Sequence, residues 1–219
     1  MRILGIDAAL ARCSVALLAD GLVLAQREAA TARGHAALLP PMIQAVMAEA
    51  GLAAGALDGV AVTVGPGSFT GLRAALALAH GLGSGARRPV LGVTVAEALA
   101  QAAGEHGGRA LWVAIDSRRG RVFLDRAGQL GAHGLDALPP ACGPVAVAGD
   151  AAPEVAARLA ARGEDVTLTA IRLPHAADVA AVGARRLAGE LPPLPAQPLY
   201  VDPPEARLPA GGLRPPPRP

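Results

Sequence analysis

Apolar and polar positions in the first thirty residues follow a short, strand-like rhythm. Residues 2–7, 12–19 and 22–28 read as three strands, and Ala19-Asp20-Gly21 supplies the turn that makes the last two a hairpin. The period then lengthens. In HAALLPPMIQAVMAEAGL, Leu39, Ile43, Val46, Met47 and Ala50 recur at helical spacing and Gly51 stops the run, with Pro40 and Pro41 predicted in the first turn or at a kink near the start. GVAVTVG at 59–65 is a continuous apolar strand, followed by a loop, a helix predicted over 68–82 and a short strand at 90–93. TVAEALAQAAG is another helix, in which Thr94 and Glu97 have the spacing of a capping box. After the glycine-rich EHGGR, residues 110–116 and 121–125 read as a hairpin across Ser117-Arg118-Arg119-Gly120. Residues 145–150 read as a strand running into a helix that ends near Arg162, with Asp150 suited to be its N-cap, and ADVAAVGARRLAGE as a last helix. The alternation predicts an α/β protein with mixed sheets covered by helices, in two parts, 1–106 and 107–219. No internal repeat is visible in the sequence.

One helix breaks the usual pattern. From Leu72 to Leu82 it reads LRAALALAHGL, apolar nearly all round, with only Arg73 and His80 polar. A helix lying on one sheet shows a polar outer face, so two sides of this one are expected to be covered. Its second cover is either another part of the chain or a helix of another subunit, and periodicity does not choose between them.

Composition narrows the chemistry. The chain has 219 residues, 52% of them hydrophobic but only 2% aromatic, so the core is expected to be built from Ala, Val and Leu. All 20 basic residues are arginine, which excludes a lysine Schiff base and a P-loop lysine. A net charge of +2 argues against a dedicated nucleic-acid-binding domain. Arg118, Arg119 and Arg121 form the tight basic cluster of the second half, read either as a solvated turn or as a contact to RNA or an acidic partner. Cys13 and Cys142 give neither a disulfide framework nor a zinc pattern, and the chain shows no signal-peptide core and no run long enough to span a bilayer. A soluble protein of the reducing cytoplasm is expected. Eleven of the 20 prolines fall between 192 and 219, which predicts an extended tail.

Chemistry concentrates in GPGSFTGLR, residues 65 to 73. Ser68 is a natural N-cap, and Gly65, Pro66 and Gly67 make a tight strand-to-helix turn. The same bare amides could cradle a phosphate, with Asp7 at the end of the first strand facing a metal-bound nucleotide. Asp7, Gly65, Gly67, Ser68, Thr70 and Gly71 are therefore the candidate nucleotide contacts, although Ala8 and Ala9 add no hydroxyl and the Walker spacing is absent. Arg73 opposes the positive end of its helix and is predicted to answer an anion or carboxylate elsewhere. The five histidines show no metal-ligand pair, His35 reads as a capping or packing residue, and the loop is not a nucleophile elbow. Two function classes remain: a partner-dependent interaction protein, and a metal-dependent peptidase or nucleotide hydrolase using Asp7 and the Gly65–Thr70 loop.

ILGIDAALARCSVAL (3–17), GHAALLPPM (34–42), GPGSFTGLR (65–73), TVAEALA (94–100), DSRRGRVF (116–123) and PLYVDPPEARLP (198–209) together resemble the TsaB, or YeaZ, family of bacterial tRNA threonylcarbamoyladenosine biosynthesis proteins. The resemblance implies an actin-like fold of the sugar kinase and Hsp70 type (ribonuclease H-like), with two lobes, the second reduced. It implies a non-catalytic scaffold that binds TsaD, the subunit that modifies ANN-decoding tRNAs, with TsaE joining and tRNA met through the complex. The resemblance further implies that no cofactor is held firmly by this chain, with ATP or ADP an option at the boundary with TsaD and self-pairing an option for the free protein. Carried over by position, Leu39, Ile43, Met47, Arg73, Leu76 and His80 are the partner-interface residues. The chain departs from the family at Ala8 and Ala9, where hydroxyl residues are usual, and at Arg121 and Phe123, where an acid and a tyrosine are usual.

Overall fold

The computed structural model describes residues 1–31 and 34–201, so the stretch beyond Val201, with most of the Pro-rich tail, lies outside the described residues. Five strands form the first sheet: β1 (Arg2–Asp7), β2 (Arg12–Ala19), β3 (Leu22–Ala30), β4 (Gly59–Gly65) and β5 (Val90–Thr94), in the order β3-β2-β1-β4-β5. The first three form an antiparallel meander, and β1, β4 and β5 run parallel. Asp20 and Gly21 both adopt positive φ, the conformation the tight hairpin between β2 and β3 requires. The second sheet holds β6 (Ala110–Asp116), β7 (Val122–Arg126), β8 (Gln129–His133), β9 (Val145–Ala148) and β10 (Val166–Leu168), in the order β10-β9-β6-β7-β8. It repeats the first: an antiparallel meander, then two parallel strands on the other side of the opening strand.

Helices α1 (His35–Glu49) and α2 (Phe69–Ala86) cover one face of the first sheet, where Leu39, Ile43, Val46, Ala75 and Leu76 meet Leu4, Ile6, Val15 and Val62. The opposite face packs Ile3, Ala16 and Ala61 against Val179 and Ala180 of α5 (Ala176–Leu187). Burial on both faces explains why β1 and β4 read as continuous apolar runs rather than alternating ones. α3 (Val95–Ala103) lies between the sheets: Ala98 joins the Ile3 and Ala61 cluster of the first, and Val95 and Leu99 lie on Val113 and Ile115 of the second, whose other face is closed by Val155 and Leu159 of α4 (Ala152–Ala161). Thus α5, which lies beyond residue 106, belongs to the core of the first sheet, and α3 is shared by both. The approach is close: a Cβ on Gly5 would strike the Ala176 carbonyl of α5. Two meander sheets, each followed by a parallel α/β pair, with the second half reduced to a 3-10 turn (Leu135–Ala137) where α1 stands in the first, constitute the actin-like fold.

Several local expectations shift. α2 runs on to Ala86, four residues past Leu82. The strands β8 and β10 were not anticipated, because QLGAH has no fully buried position and VTL is only three residues long. Pro40 and Pro41 lie inside α1, which begins at His35. The carbonyls they leave without an intrahelical donor belong to Ala36 and Ala37, both exposed, where water can serve them. The capping box is formed as predicted, with Thr94 and Glu97 bonded reciprocally at the start of α3. Beyond α5 the chain doubles back as a strap along the first lobe, pinned by Gly92 N donating to Leu194 O at 3.1 Å and by Leu199 N donating to Val64 O at 2.8 Å.

Candidate functional site

The glycine-rich loop closes on its own chain. Ser68 caps α2, its Oγ accepting from Gly71 N at 3.2 Å, while Ser68 N donates to Ala9 O at 2.7 Å. A Cβ on Gly67 would collide with the Ala9 carbonyl, and one on Gly71 with the Ala8 carbonyl and with Nδ1 of His35. The glycines are thus required by the backbone that follows β1. His35, buried at the start of α1, completes this packing with Nε2 2.9 Å from Thr31 O. Gly65, at φ 116°, precedes a cis bond to Pro66. Thr70 is exposed.

Asp7, at the end of β1, has no solvent exposure. Its Oδ1 accepts from Thr63 Oγ1 at 2.8 Å and Ala9 N at 3.2 Å. Its Oδ2 has no hydrogen-bond partner among the described residues. Burial pushes the carboxyl up from 3.8 to about 7, against the opposing pull of the Thr63 hydroxyl, the Ala9 amide and the Arg12 charge. Gly67 and Gly71 thus leave room for the Ala9 and Ala8 carbonyls, which lie where a side chain at either position would start.

The residues expected at a partner interface divide into two sets. Leu39, Ile43 and Leu76 are buried in the core of their own lobe, and Met47 is half-buried against it, so these side chains support α1 and α2 from beneath. Arg73 and His80 face outward. His80 Nε2 lies 2.8 Å from Ala196 O of the strap. Arg73 finds an aromatic setting among the described residues: its guanidinium lies 3.7 Å over the Phe69 ring, and Nε and Nη2 donate to the Tyr200 hydroxyl at 3.2 and 3.1 Å. Phe69 and Tyr200 were not singled out from sequence; the scarcity of aromatics was the available signal. Between Arg73 and the end of α2, the exposed positions include Ala77, Gly81 and Gly85, and a Cβ on either glycine would meet nothing within 4 Å.

In the second lobe Asp150 does not cap α4, whose N-cap Ala151 has no side-chain bond. Its Oδ1 accepts instead from Asp116 N at 2.9 Å, joining β6 to the end of β9, and burial pushes its carboxyl above the ordinary range. Arg118 bridges Asp116 and Asp150 at 3.4 Å each. Arg118, Arg119 and Arg121 are exposed on the turn, and Arg119 and Arg121 have partners of their own. Among the described residues no group of three His, Cys, Asp or Glu stands together to hold a metal ion, both cysteines are free, and no helix is long and apolar enough to cross a membrane.

Known proteins place this geometry. The family model described as TsaD, tRNA N6-adenosine threonylcarbamoyltransferase, matches residues 26–188. The chain is 40% identical over 124 residues to the tRNA threonylcarbamoyladenosine biosynthesis protein TsaB of Escherichia coli (strain K12), a match covering 56% of this chain and 53% of that protein. The chain thus spans about half the length of that relative and of its Haemophilus influenzae counterpart, at 53% as well. An uncharacterized protein of Mycobacterium tuberculosis is 35% identical over 191 residues, covering 86% of this chain and 84% of that one. Among solved structures, YeaZ from Pseudomonas aeruginosa superposes with a TM-score of 0.75 at 32% identity, over 91% of this chain and 99% of that one. A second structure, of a Pseudomonas aeruginosa protein with similarity to peptidase YeaZ, gives 0.77 at 31%, over 92% and 99%. With the lobe order, the GPGSFTGLR loop and these matches in agreement, the chain belongs to the TsaB (YeaZ) family.

Proposed function

We propose that the chain is a scaffold subunit of a tRNA threonylcarbamoyladenosine-forming complex, and that it acts by binding and activating TsaD through the outer face of α1 and α2. The observation that carries this reading is the closed glycine loop. A family whose relatives bear that biosynthetic name keeps the loop here as a helix start, with Asp7 sealed and Gly67 and Gly71 filled by carbonyls, while α2 holds small residues toward solvent. The buried carboxylate speaks against the alternative of a peptidase or nucleotide hydrolase working from Asp7. In this reading TsaE and tRNA are met in the assembled cytoplasmic complex, any ATP or ADP lies at the boundary with TsaD, and a second copy takes TsaD's place on α1 and α2 when the chain is alone.

The test is reconstitution of tRNA threonylcarbamoylation with TsaD and TsaE from the same organism, supplied with tRNA, ATP and an activated threonylcarbamoyl donor, adding or omitting this protein. Activity appearing only on its addition is the expected result; equal activity without it sinks the proposal. The interface variant must be chosen from the exposed set. Leu76→Glu would bury a charge in the lobe's own core and unfold it, whereas Ala77→Arg on the outer face is expected to abolish complex formation and leave the fold intact.

A further inference from the structure

We propose that Phe69, Arg73 and Tyr200 form the anchor of this docking face, and that the partner fills it with an acidic side chain set in apolar surface. The inference rests on the reading that α2 faces TsaD. The chain contains two phenylalanines, one tyrosine and one tryptophan. Trp112 is buried, whereas Phe69 and Tyr200 are 58% and 49% exposed with ring centroids 6.2 Å apart. Two of four aromatics in water around one arginine is a concentration of the residue types that dominate interface energetics, in a chain that otherwise builds its contacts from Ala, Val and Leu.

Charge identifies the occupant. The first turn of α2 contains no acidic residue, and among the described residues Arg73 contacts Phe69 and Tyr200. The positive end of the helix adds to the same sign. With Nε and one Nη2 proton turned to Tyr200, Nη1 has no partner among the described residues, and the planar fork suits a carboxylate. Tyr200 accepts both bonds, so its own proton is free to donate. The cluster is held in place before binding: Leu199 N donates to Val64 O one residue earlier, and the strap is fixed again where Ala196 O meets His80. Little ordering therefore remains to be done on docking. The anchor is also continuous with Ala77 and Gly81 along α2, where a partner helix can approach closely.

Calorimetric titration of TsaD into the full chain tests this. Phe69→Ala is expected to weaken binding about 30-fold, Arg73→Lys about 10-fold and Arg73→Glu at least about 100-fold, with wild-type affinity falling as salt rises. Arg158→Ala on the distant α4 serves as reference and stays within about two-fold. Because the three side chains are exposed, melting temperatures should match the unaltered chain. A charge-reversal scan over acidic surface positions of TsaD is expected to restore binding of Arg73→Glu at one position; restoration at none overturns the carboxylate occupant. If the unaltered chain binds TsaD and both Phe69→Ala and Arg73→Glu bind equally well, the anchor is wrong while the docking reading stands. If the unaltered chain does not bind TsaD at all, both fall.

Discussion

Replacing Asp7 by Asn should flatten the dependence of stability on pH. Asp7 is fully buried, and its carboxyl is raised from 3.8 to about 7, first by burial. Between those values the folded chain holds a proton that the unfolded chain has released. Its contribution to stability is therefore complete below 3.8, declines as pH rises, and is gone above about 7. At about 1.4 kcal/mol per pH unit, the wild type should lose about 2.5 kcal/mol from this group between about pH 5 and pH 8. For a chain of this size that corresponds to a fall of about 5 to 10 °C in melting temperature. Asp7→Asn keeps an oxygen for Thr63 and Ala9 and puts an amide where Oδ2 has no partner, which costs about 1 to 3 kcal/mol relative to the protonated acid that the wild type holds at low pH. The informative quantity is thus the slope and not the offset. Asp150 and Asp178, also raised by burial, and Asp20, lowered by the N-terminal ammonium, contribute equally to both proteins and cancel in the difference. Urea unfolding at four pH values from about 5 to 8 would measure it. Parallel curves for the two proteins would refute the reasoning, because Asp7 would then be solvated or paired in a way the buried geometry denies.

Other expectations concern packing. Gly71→Ala should destabilise by about 1 to 3 kcal/mol, because its Cβ meets the Ala8 carbonyl, whereas Gly81→Ala on the same helix, with open space around it, should stabilise by about 0.5 to 1 kcal/mol; thermal melts giving the same sign for both would contradict the closed loop. Arg186 is buried and ties α5 to the Gly92 carbonyl, the Pro192 carbonyl and Glu97 of the capping box, so Arg186→Met should cost about 3 kcal/mol in urea unfolding, and an unchanged midpoint would remove it from the inter-helix tie. Under native conditions a thiol reagent should modify exposed Cys142 and spare Cys13, with one equivalent reacting; two would mean the first sheet opens readily.

Much of this architecture is legible from local signals. The Asp20-Gly21 hairpin and the Thr94 and Glu97 capping box depend on neighbours in sequence, and both formed where expected. Helical spacing located α1 and α2, but periodicity marks a stripe without saying what covers it. Leu39, Ile43 and Leu76 lie on the stripe facing their own sheet, while the outward face is written in Ala and Gly, which carry little hydrophobic signal. The glycines of GPGSFTGLR illustrate the same limit. The stringency at Gly67 and Gly71 comes from the Ala9 and Ala8 carbonyls, about sixty residues away, so a loop shaped by close contact has the look of one shaped for phosphate. Asp150 was misread for a related reason: a residue with the right chemistry for a cap was taken by a strand-end amide at Asp116 that only the fold brings near. Arg73 and Tyr200, 127 positions apart, could not be joined by any pattern within a window.

The return of α5 to the first sheet has a consequence for how the protein comes off the ribosome. The five strands of the first sheet are complete once Thr94 has been made, yet the helix that covers Ile3, Ala16 and Ala61 follows roughly ninety residues later. At about 5 to 20 residues per second, that apolar surface waits roughly 5 to 20 seconds for its lid. A nascent chain in that interval is a target for holding chaperones, and a gene split at residue 106 would yield two halves that each need the other's final helix before either can be soluble.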